Sequence, residues 1–372
     1  MALQIAAAGA LLLWVYLLLG RGGFWRMDED QQPAAGPVPA PSVAIIIPAR
    51  NEADVIGRAV GSLAAQNYQG PFQIVVVDDH SSDGTADAAR AAGVRNLTVV
   101  SAEPLAPGWT GKLWAVHQGV RAAAAFAPDY LLLTDADIVH SKENLSSLVA
   151  QAAAGQYELV SLMVRLHCRT LAERVLIPAF VFFFFLLYPP AWIRRPGCRT
   201  AAAAGGCMLI RYAALERIGG VETIRGELID DCALARAVKQ SGGLVSLGLT
   251  SHTVSIREYR GFEDIGRMIS RSAFTQLRHS WFLLATTVAG LAFTYLLPAV
   301  SALLGNVLGA AAWLLMCLAY APVLRFYKLS LFWAPLLPLV ALFYTGATIH
   351  SALAWGRGRG GLWKGRVQAG RK

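Results

Sequence analysis

Short apolar stretches alternate with helical patterns between residues 43 and 165, and this alternation restricts the possible folds more than any other feature of the chain. Four stretches of strand length occupy residues 43–48, 72–79, 97–100 and 130–135. The segments between them place apolar residues at helical spacing. Strands and helices in alternation form a mostly parallel sheet covered by helices on both faces. The sequence therefore predicts an α/β domain of this kind.

The fourth stretch runs directly into two aspartates, Asp135 and Asp137. Successive side chains of a strand point to opposite faces, so residues two apart share a face. Both carboxylates can therefore aim at one point, where they repel each other unless a cation or a proton lies between them. A strand that ends in a plain polar turn is the alternative, and for this motif alone it is the commoner situation.

Polar clusters follow three of the predicted strands. They are Pro48, Asn51 and Glu52 after the first strand, Asp78 and Asp79 after the second, and Asp135 and Asp137 after the fourth. In open sheets of this kind, ligands bind at the carboxyl ends of the strands. If the polar residues only formed turns, their presence after three strands would be a coincidence. The sequence therefore predicts a binding site at the edge of the sheet where these strands end.

Long uncharged runs lie at both ends of the chain, which is 55% hydrophobic and only 15% charged. Residues 4–20 form the first run, and residues 281–298, 306–324 and 331–355 form three more. Such runs are long enough, or nearly so, to cross a bilayer. We interpret residues 1–22 as an uncleaved transmembrane anchor, because no basic residue precedes the run and no cleavage site is evident.

Basic residues beside these runs bear on the orientation. Arg21 and Arg26 follow the anchor, so the positive-inside rule places the next segment, a proline-rich linker at 23–42, in the cytoplasm. The basic tail at 356–372 also favours the cytoplasm, but three full crossings in the C-terminal membrane segments at 281–355 would place it outside. Two prolines in the last run allow a broken or re-entrant segment, so the topology stays open.

Two further segments indicate contact with lipid. Residues 174–193 are very apolar but contain three prolines, which favours an interfacial or re-entrant segment within a catalytic domain at 43–260. A buried core helix is the alternative, although four consecutive phenylalanines exceed what one core face requires. Residues 261–280 place apolar residues on one helical face and arginines elsewhere, which predicts an amphipathic helix lying on the membrane surface.

Charge and cysteine content exclude several classes of protein. The net charge of +9 is concentrated beside the membrane segments, which suits anionic lipid headgroups better than nucleic acid. The chain has neither zinc-finger spacing nor an RNA-binding signature, so we expect no nucleic-acid partner. The five cysteines are scattered and odd in number, which argues against a disulfide framework or a thiolate metal site.

Four motifs in order, "VAIIIPARNEADVIGRAVGSLAAQNY", "IVVVDDHSSDGTADAA", "GWTGKLWAVHQG" and "LLLTDADI", resemble the family 2 glycosyltransferases of the GT-A fold. The resemblance covers roughly residues 42–275. It implies that the first strand end and Asp79 hold the base and ribose of a nucleotide sugar. It also implies that Asp137 binds a divalent metal on the diphosphate, while Asp135 approaches the ribose or the waters of the metal.

The chemistry of sugar transfer agrees with that assignment. A nucleotide diphosphate is a poor leaving group until its charge is neutralised, and a hard cation held by carboxylates and phosphate oxygens does this. Mg²⁺ or Mn²⁺ fits oxygen ligands better than Zn²⁺. Lys112 is either a further positive charge on the phosphates or a solvated lysine in a loop.

Asp230 and Asp231 begin a predicted helix within 226–243 and resemble the acidic pair of the family. The resemblance implies that Asp231 is the general base of an inverting displacement, and helix capping is the alternative for both residues. Two adjacent carboxylates beside a partly apolar pocket can raise the pKa of one of them towards a useful range.

Gly205 and Gly206 form either a wall for the acceptor or a bulge that serves packing. His252 is either a further metal ligand or a structural or surface residue.

The stretches "IPAFVFFFFLLYPPAW", "TAAAAGGCMLIR", "LIDDCALARAVK" and "FTQLRHS" resemble the hopene-associated glycosyltransferases of bacteria, which implies a role near hopanoid lipid synthesis. Processive members of family 2 carry a QxxRW motif that has no clean copy here. Arg271 is the candidate for part of that role on the acceptor side. The absence of a clean QxxRW motif argues against a processive polysaccharide synthase.

The sequence thus favours a multi-pass enzyme of the bacterial inner membrane with its catalytic domain in the cytoplasm. It would transfer one sugar, with inversion, from a nucleotide sugar that we expect to be UDP-linked to a hydroxyl of a membrane lipid. One alternative is a polyprenyl-phosphate sugar transferase, whose phosphate acceptor would hardly need Asp231. The other is a membrane scaffold that keeps the nucleotide fold without turnover.

Overall fold

The computed structural model describes residues 1–29, 40–363 and 366–369. The chain divides into two compact units. The helical unit comprises Met1–Met27, Cys168–Ala191 and Glu258–Lys372, and the sheet unit comprises Asp28–His167 and Trp192–Arg257. Residues 30–39 of the predicted linker at 23–42, and residues 364–365 and 370–372 of the predicted tail at 356–372, lie outside the described residues.

Four parallel strands form the first half of the sheet, in the order β3-β2-β1-β4. The strands are β1 (Val43–Ala49), β2 (Phe72–Asp78), β3 (Leu97–Ser101) and β4 (Tyr130–Thr134). The connecting helices are α2 (Ile56–Ala64), α3 (Thr85–Ala91) and α4 (Gly111–Ala123). These strands lie where the sequence predicts them, because apolar residues can be buried on both faces of a sheet and the aspartates that follow cannot.

The second half of the sheet continues in the order β7-β6-β8-β5 and is mixed. The strands are β5 (Ile138–Val139), β6 (Leu159–Arg165), β7 (Cys207–Arg211) and β8 (Val245–Ser255), and the helices are α5 (Asn144–Ala154), α8 (Tyr212–Arg217) and α9 (Asp230–Gln240). Strand β7 runs antiparallel to both β4 and β6. The sheet is therefore less parallel than the sequence predicts, because β7 and β5 both enter it in the reverse direction.

The core of the sheet unit is built around β1, all of whose residues are buried. Helix α4 packs closely on this strand because Gly119 lacks a side chain. A Cβ atom at Gly119 would lie 2.5 Å from Ile46 Cγ2 and 3.0 Å from Val77 Cγ2. This close approach fixes α4, whose first turn contributes to the site described below.

The helical unit contains helices from both ends of the chain and from its middle, most of them apolar. These are α1 (Ala2–Gly20), α6 (Leu171–Leu187), α10 (Phe262–Gln276), α11 (Trp281–Leu291), α12 (Leu297–Leu303), α13 (Val307–Phe326) and α14 (Leu337–Gly356). A short helix α7 (Pro190–Arg194) follows α6, and strands β9 (Gly360–Trp363) and β10 (Arg366–Ala369) form a hairpin. Among the described residues, five helical segments are long and apolar enough to cross a membrane: Ala2–Gly20, Leu171–Arg194, Trp281–Leu303, Val307–Phe326 and Leu331–Gly356.

Three prolines disturb these helices less than the sequence suggests. Pro178 lies inside α6, and the helix continues beyond it to Leu187. Pro335 lies in a 3₁₀ turn, and Pro338 lies in the first turn of α14, where a missing N–H group is tolerated. Residues 331–356 therefore form one helical segment, a 3₁₀ turn followed by α14, and its course through a membrane stays a prediction.

Helix α10 is amphipathic, as predicted, but its apolar face packs within the helical unit. Ile265, Ile269 and Phe274 are buried. The backbone N–H of Phe274 donates to Ser351 Oγ of α14 at 3.1 Å. Its position on a membrane surface stays a prediction.

Candidate active site

The carboxyl ends of β1, β2 and β4 lie at one edge of the sheet. Ala49 of β1 pairs with Asp78 of β2, and Ile46 of β1 pairs with Leu133 of β4. The polar residues that follow the three strands therefore begin at nearly the same level. This arrangement agrees with the convergence that the sequence predicts.

Lys112 joins carboxylates from two distant parts of the chain. It lies in the first turn of α4, and Thr110 caps this helix. Its Nζ atom lies 3.0 Å from Asp135 Oδ1 and 3.1 Å from Asp230 Oδ2. Burial lowers the pKa of Lys112, but the neighbouring carboxylates outweigh burial and raise this pKa above its usual range. Lys112 is therefore a paired, charged group and not a solvated loop lysine.

Asp231 is held by two backbone amides at the start of α9. Its Oδ2 atom accepts a hydrogen bond from Gly205 N at 3.0 Å, and its Oδ1 atom accepts one from Cys232 N at 2.7 Å. Burial and the charge of Asp230 raise the pKa of Asp231 to about 6, against the lowering effects of Lys112 and of the two amides. Such a carboxyl group is largely ionised at neutral pH and can still take up a proton.

Helix capping does not account for this acidic pair. The N-cap residue of α9 is Ile229, which makes no side-chain capping bond. Asp230 contacts Lys112, and Asp231 contacts Gly205. Both carboxylates are thus engaged with residues from other parts of the fold.

Asp137 lies beside an arginine that the sequence analysis did not identify. Its Oδ2 atom accepts a hydrogen bond from Ser255 Oγ at 2.7 Å and lies 3.2 Å from Arg257 Nε. The same guanidinium donates from Nη2 to Glu52 Oε1 at 2.6 Å. Arg257 therefore lies between two predicted site residues. It was missed because β8, which ends at Ser255, was not predicted as a strand.

The loops after β1 and β2 are tied together by side chains. Asn51 Oδ1 accepts from Ser82 N at 2.9 Å, and the backbone N–H of Asn51 donates to Ser81 Oγ at 2.9 Å. Asn51 has a φ of 51°, a left-handed conformation that asparagine tolerates better than most residues. These contacts give Asn51 a structural role in the loop, and its contact with a nucleotide stays a prediction.

Asp78 and Asp79 are both at this edge, where Asp78 is half-buried and Asp79 is buried. Asp79 is buried, with Arg50 Nη1 at 3.7 Å and His80 Nδ1 at 3.3 Å. Asp78 Oδ1 is buried and has no hydrogen-bond partner within the part of the chain that the structure describes. Their contacts with a base or ribose stay predictions.

A mainly apolar cavity opens beside the Lys112 cluster. Lys112, Asp135 and Asp230 line it together with Pro48, Thr134, Gly205 and apolar side chains from α4, β4, β7, α8, α9 and the turn at 221–224. These apolar residues are Leu113, Val116, Leu133, Met208, Leu215, Val221, Ile224 and Leu234. Asp230 of the acidic pair thus borders a partly apolar pocket.

The donor set near β4 suits a hard divalent cation that shares its ligands with phosphate. The described residues contain no group of three or more histidine, cysteine or acidic side chains placed to hold a metal by themselves. Asp135 and Asp137 offer carboxylate oxygens one residue apart. Mg²⁺ and similar ions typically take one or two carboxylates and complete their shell with water and substrate phosphates. The residues present therefore fit such an ion.

Two candidates from the sequence lie outside this cluster. Arg271 is an exposed residue of α10 in the helical unit, so its role on the acceptor side stays a prediction. His252 is exposed on β8 and belongs to no metal-binding group among the described residues, which favours the structural or surface interpretation.

The two glycines before β7 have different neighbours. A Cβ atom at Gly205 would lie 3.2 Å from Lys112 Nζ and 3.4 Å from Asp231 Oδ2, whereas one at Gly206 would meet Ile138 and Val164 at 3.3 Å. Gly205 thus allows the lysine and the base candidate to approach the backbone. Gly206 allows close packing beneath them.

Replacing Gly205 with alanine is expected to lower turnover on the order of tenfold, because displacement of a catalytic group by a fraction of an ångström is costly. The measurement is kcat for sugar transfer, with the thermal unfolding midpoint recorded in parallel. Gly61→Ala is the matched control, since a Cβ atom at this helical glycine has no neighbour within 4 Å. Full turnover in Gly205→Ala would contradict the importance of this close approach.

Comparison with known proteins supports the fold and the family. The family model described as "Glycosyltransferase like family 2" matches residues 39–258. The mannosyltransferase PcManGT from Pyrobaculum calidifontis, solved in complex with GDP-Man and Mn²⁺, has a TM-score of 0.56 and 21% identity, over 95% of this chain and 97% of that one. At this identity the likeness concerns the fold, and it confirms the predicted GT-A architecture.

Curated relatives match over part of their length. The 4,4'-diaponeurosporenoate glycosyltransferase of Staphylococcus aureus (strain bovine RF122 / ET3-1) is 28% identical over 256 residues, which is 67% of this chain and 62% of the relative. That of Staphylococcus haemolyticus (strain JCSC1435) is 29% identical over 151 residues, or 41% of this chain and 38% of the relative. The matched segment thus spans less than two thirds of either relative.

The family match covers more than half of the chain, including the strand ends, the Asp135–Asp137 motif, Lys112 and the acidic pair. The mixed sheet and its flanking helices agree with it. This chain belongs to the glycosyltransferases like family 2.

Proposed function

We propose that this protein transfers a single sugar, with inversion, from a nucleotide-diphosphate sugar to a hydroxyl of a membrane lipid. The donor is proposed to be UDP-linked, and the acceptor class to be lipids of the hopanoid type. The observation that carries the proposal is the position of Asp231, whose carboxylate lies beside a cluster in which Lys112 bridges Asp135 and Asp230.

The proposed reaction is a single displacement. Asp231 takes the proton of the acceptor hydroxyl, whose oxygen then bonds to the anomeric carbon of the sugar. The bond from that carbon to the diphosphate oxygen breaks, and the nucleotide diphosphate leaves with the electron pair. Attack from the face opposite the leaving group inverts the configuration.

Positive charge is needed where the leaving group gains negative charge. Lys112 keeps its proton because three carboxylates surround it, so it can place a charge near the phosphates. Arg257 is a second cation next to Asp137. A divalent cation such as Mg²⁺ or Mn²⁺, held by Asp137 with help from Asp135, would neutralise the diphosphate.

A lipid acceptor is supported by three observations. The part of the chain that the structure describes has five segments that could cross a membrane. Apolar side chains line the small cavity beside Lys112, Asp135 and Asp230. The relatives are named for 4,4'-diaponeurosporenoate, a lipid-like carotenoid acid. We therefore place the protein in a bacterial inner membrane with the sheet unit in the cytoplasm, where nucleotide sugars are made.

An acceptor that is already ionised is a second candidate. The name of the relatives denotes an acid, and a carboxylate or a polyprenyl phosphate has no proton to give up near neutral pH. Such an acceptor would need the cations of the site but not Asp231 as a base. The two candidates therefore differ in how much Asp231 contributes.

The rate of transfer to a hydroxyl is expected to fall at acidic pH. The reactive form of Asp231 is the carboxylate, and its raised pKa of about 6 means that this form predominates above pH 6. Below that value kcat/KM for the acceptor should fall about tenfold per pH unit as the carboxylate becomes protonated. The measurement is kcat/KM between pH 4.5 and 8, with donor affinity followed over the same range. A flat profile, with donor affinity unchanged, would contradict this role.

The experiment that tests the function uses the detergent-purified full chain. Nucleotide sugars linked to UDP, GDP or dTDP are offered with Mg²⁺, Mn²⁺ or chelator, and a bacterial lipid extract is then searched by mass spectrometry for products that carry one added sugar. We expect one donor to bind and to label a lipid of the extract. Failure of every donor to bind at any metal concentration would favour the scaffold alternative.

A further inference from the structure

A chain of buried hydrogen bonds runs behind the proposed active site. Thr134 Oγ1 lies 2.7 Å from the carbonyl oxygen of Gly206 and 3.0 Å from His140 Nε2. His140 Nδ1 lies 2.9 Å from Asn144 Nδ2, and Asn144 Oδ1 lies 3.0 Å from Thr253 Oγ1. The side chains of Thr134, His140, Asn144 and Thr253 are all at most 4% exposed.

The direction of each bond follows from the carbonyl at one end. A carbonyl oxygen can only accept, so Thr134 donates to Gly206 and must itself accept from His140 Nε2. His140 is therefore protonated on Nε2, and its Nδ1 accepts from the amide nitrogen of Asn144. The amide oxygen of Asn144 in turn accepts from Thr253. Burial lowers the pKa of His140 to about 3, which agrees with the neutral ring that this order requires.

The two ends of this chain touch the elements that carry the reactive groups. Thr134 is the last residue of β4 and directly precedes Asp135. Gly206 directly follows Gly205, whose N–H holds Asp231. His140 ends the short segment that begins with Asp135 and contains Asp137. One imidazole thus contacts, through Thr134, both the donor-side turn and the turn that holds the base.

The ring of His140 is not needed to fix its own backbone. The backbone N–H of His140 donates to Ser62 Oγ at 3.0 Å, and the preceding Val139 pairs with Val254 in the sheet. The ring instead bonds to the hydroxyl of Thr134, which reaches Gly206, and to the amide of Asn144.

We propose that His140 is a positioning residue for glycosyl transfer, acting through Thr134 to fix the turn of Asp135 and Asp137 relative to the Gly205 turn that holds Asp231. This inference rests on the proposed function, since it assumes that these carboxylates serve one reaction. It assigns a role to a histidine for which the sequence offers no spacing signal.

Two amide substitutions at His140 distinguish the hydrogen bond of the ring to Thr134 from its hydrogen bond to Asn144. His140→Gln can place an amide N–H near the position of Nε2 and keep the bond to Thr134, whereas His140→Asn can place an amide oxygen near Nδ1 and keep only the bond from Asn144. We expect His140→Gln to retain most of kcat and His140→Asn to lose about a hundredfold, because small displacements of catalytic groups have effects of this size. Both variants lose one buried bond, so a purely structural role would lower both activities and both unfolding midpoints alike.

A second readout does not depend on turnover. Hydrogen exchange of the backbone amides at 135–139 and 204–207 should be faster in His140→Asn than in His140→Gln. Equal exchange and equal kcat in the two variants would overturn the inference. If the wild type transfers no sugar, the proposed function fails, while the exchange comparison still decides whether His140 joins the two turns.

A pair of variants at Thr134 tests the same contact without changing His140, in case the His140 variants do not fold. Thr134→Ser keeps the hydroxyl and should therefore retain more of kcat than Thr134→Val, which keeps the shape but cannot bond to Gly206 or His140. We expect the valine variant to behave like His140→Asn in both readouts. Wild-type exchange and turnover in Thr134→Val would contradict the proposal.

Discussion

Replacing Asp231 with asparagine is expected to lower sugar transfer by about 10²- to 10⁴-fold, which is the range that a general base contributes. The amide keeps the shape of the carboxylate and can accept one of its two backbone hydrogen bonds, from Gly205 N or from Cys232 N, but it cannot take a proton from the acceptor. Donor affinity should change little, since the variant removes a group that acts on the acceptor. The measurement is kcat with saturating donor and lipid, together with the dissociation constant of the nucleotide sugar.

Asp230→Asn is the matched control, because it changes the neighbouring carboxylate in the same helix. Asp230 contacts Lys112 at 3.1 Å, so its loss removes one partner of a lysine that keeps a second partner in Asp135. We expect a smaller decrease in kcat than in Asp231→Asn. Undiminished transfer in Asp231→Asn would remove this residue from the mechanism and favour an acceptor that is already ionised.

The first half of the sheet could be predicted because its sequence signals are local. Buried parallel strands are continuous apolar runs, and the run ends at the residue where the chain reaches the polar edge. Asp78 and Asp135 mark these ends directly. The sequence thus indicates which residues meet at the edge before any contact is known.

The second half of the sheet was harder to predict, because its strands are not continuous apolar runs that end in polar residues. Strand β8 contains glycine, serine and threonine residues, several of which are buried in polar contacts, so neither apolar continuity nor alternation identifies it. Without β8, the position of Arg257 beside Asp137 could not be foreseen. The reversed direction of β7 is likewise set by pairing with β4 and β6, which a local pattern does not report.

Lys112 and His140 illustrate the same limit within the site. The sequence left Lys112 with two interpretations, because its partners Asp135 and Asp230 lie far away along the chain. His140 offers no spacing signal at all, since its bonds reach Thr134 and Asn144 only after the turn has folded. The sequence shows which residue types are present, whereas the residues that each of them contacts depend on the tertiary structure.

Asp137→Asn is expected to weaken metal-dependent binding of the donor by about a hundredfold, which corresponds to the several kcal/mol that a cation contributes at a phosphate. Asparagine can still accept from Ser255 Oγ, so the turn should keep its shape. The lost charge removes the group that would hold Mg²⁺ or Mn²⁺. The measurement is a titration of the nucleotide sugar with metal and with chelator.

The comparison of metal with chelator tells which interaction Asp137 makes. If the carboxylate holds the cation, chelator should weaken binding to the wild type by about the same factor and should have little further effect on Asp137→Asn. Asp129→Asn is the control, since this carboxylate accepts from Ser42 N at 2.7 Å at the other end of β4. Equal effects of chelator on wild type and Asp137→Asn would mean that the residue acts through Arg257, its cationic partner at 3.2 Å, and not through a metal.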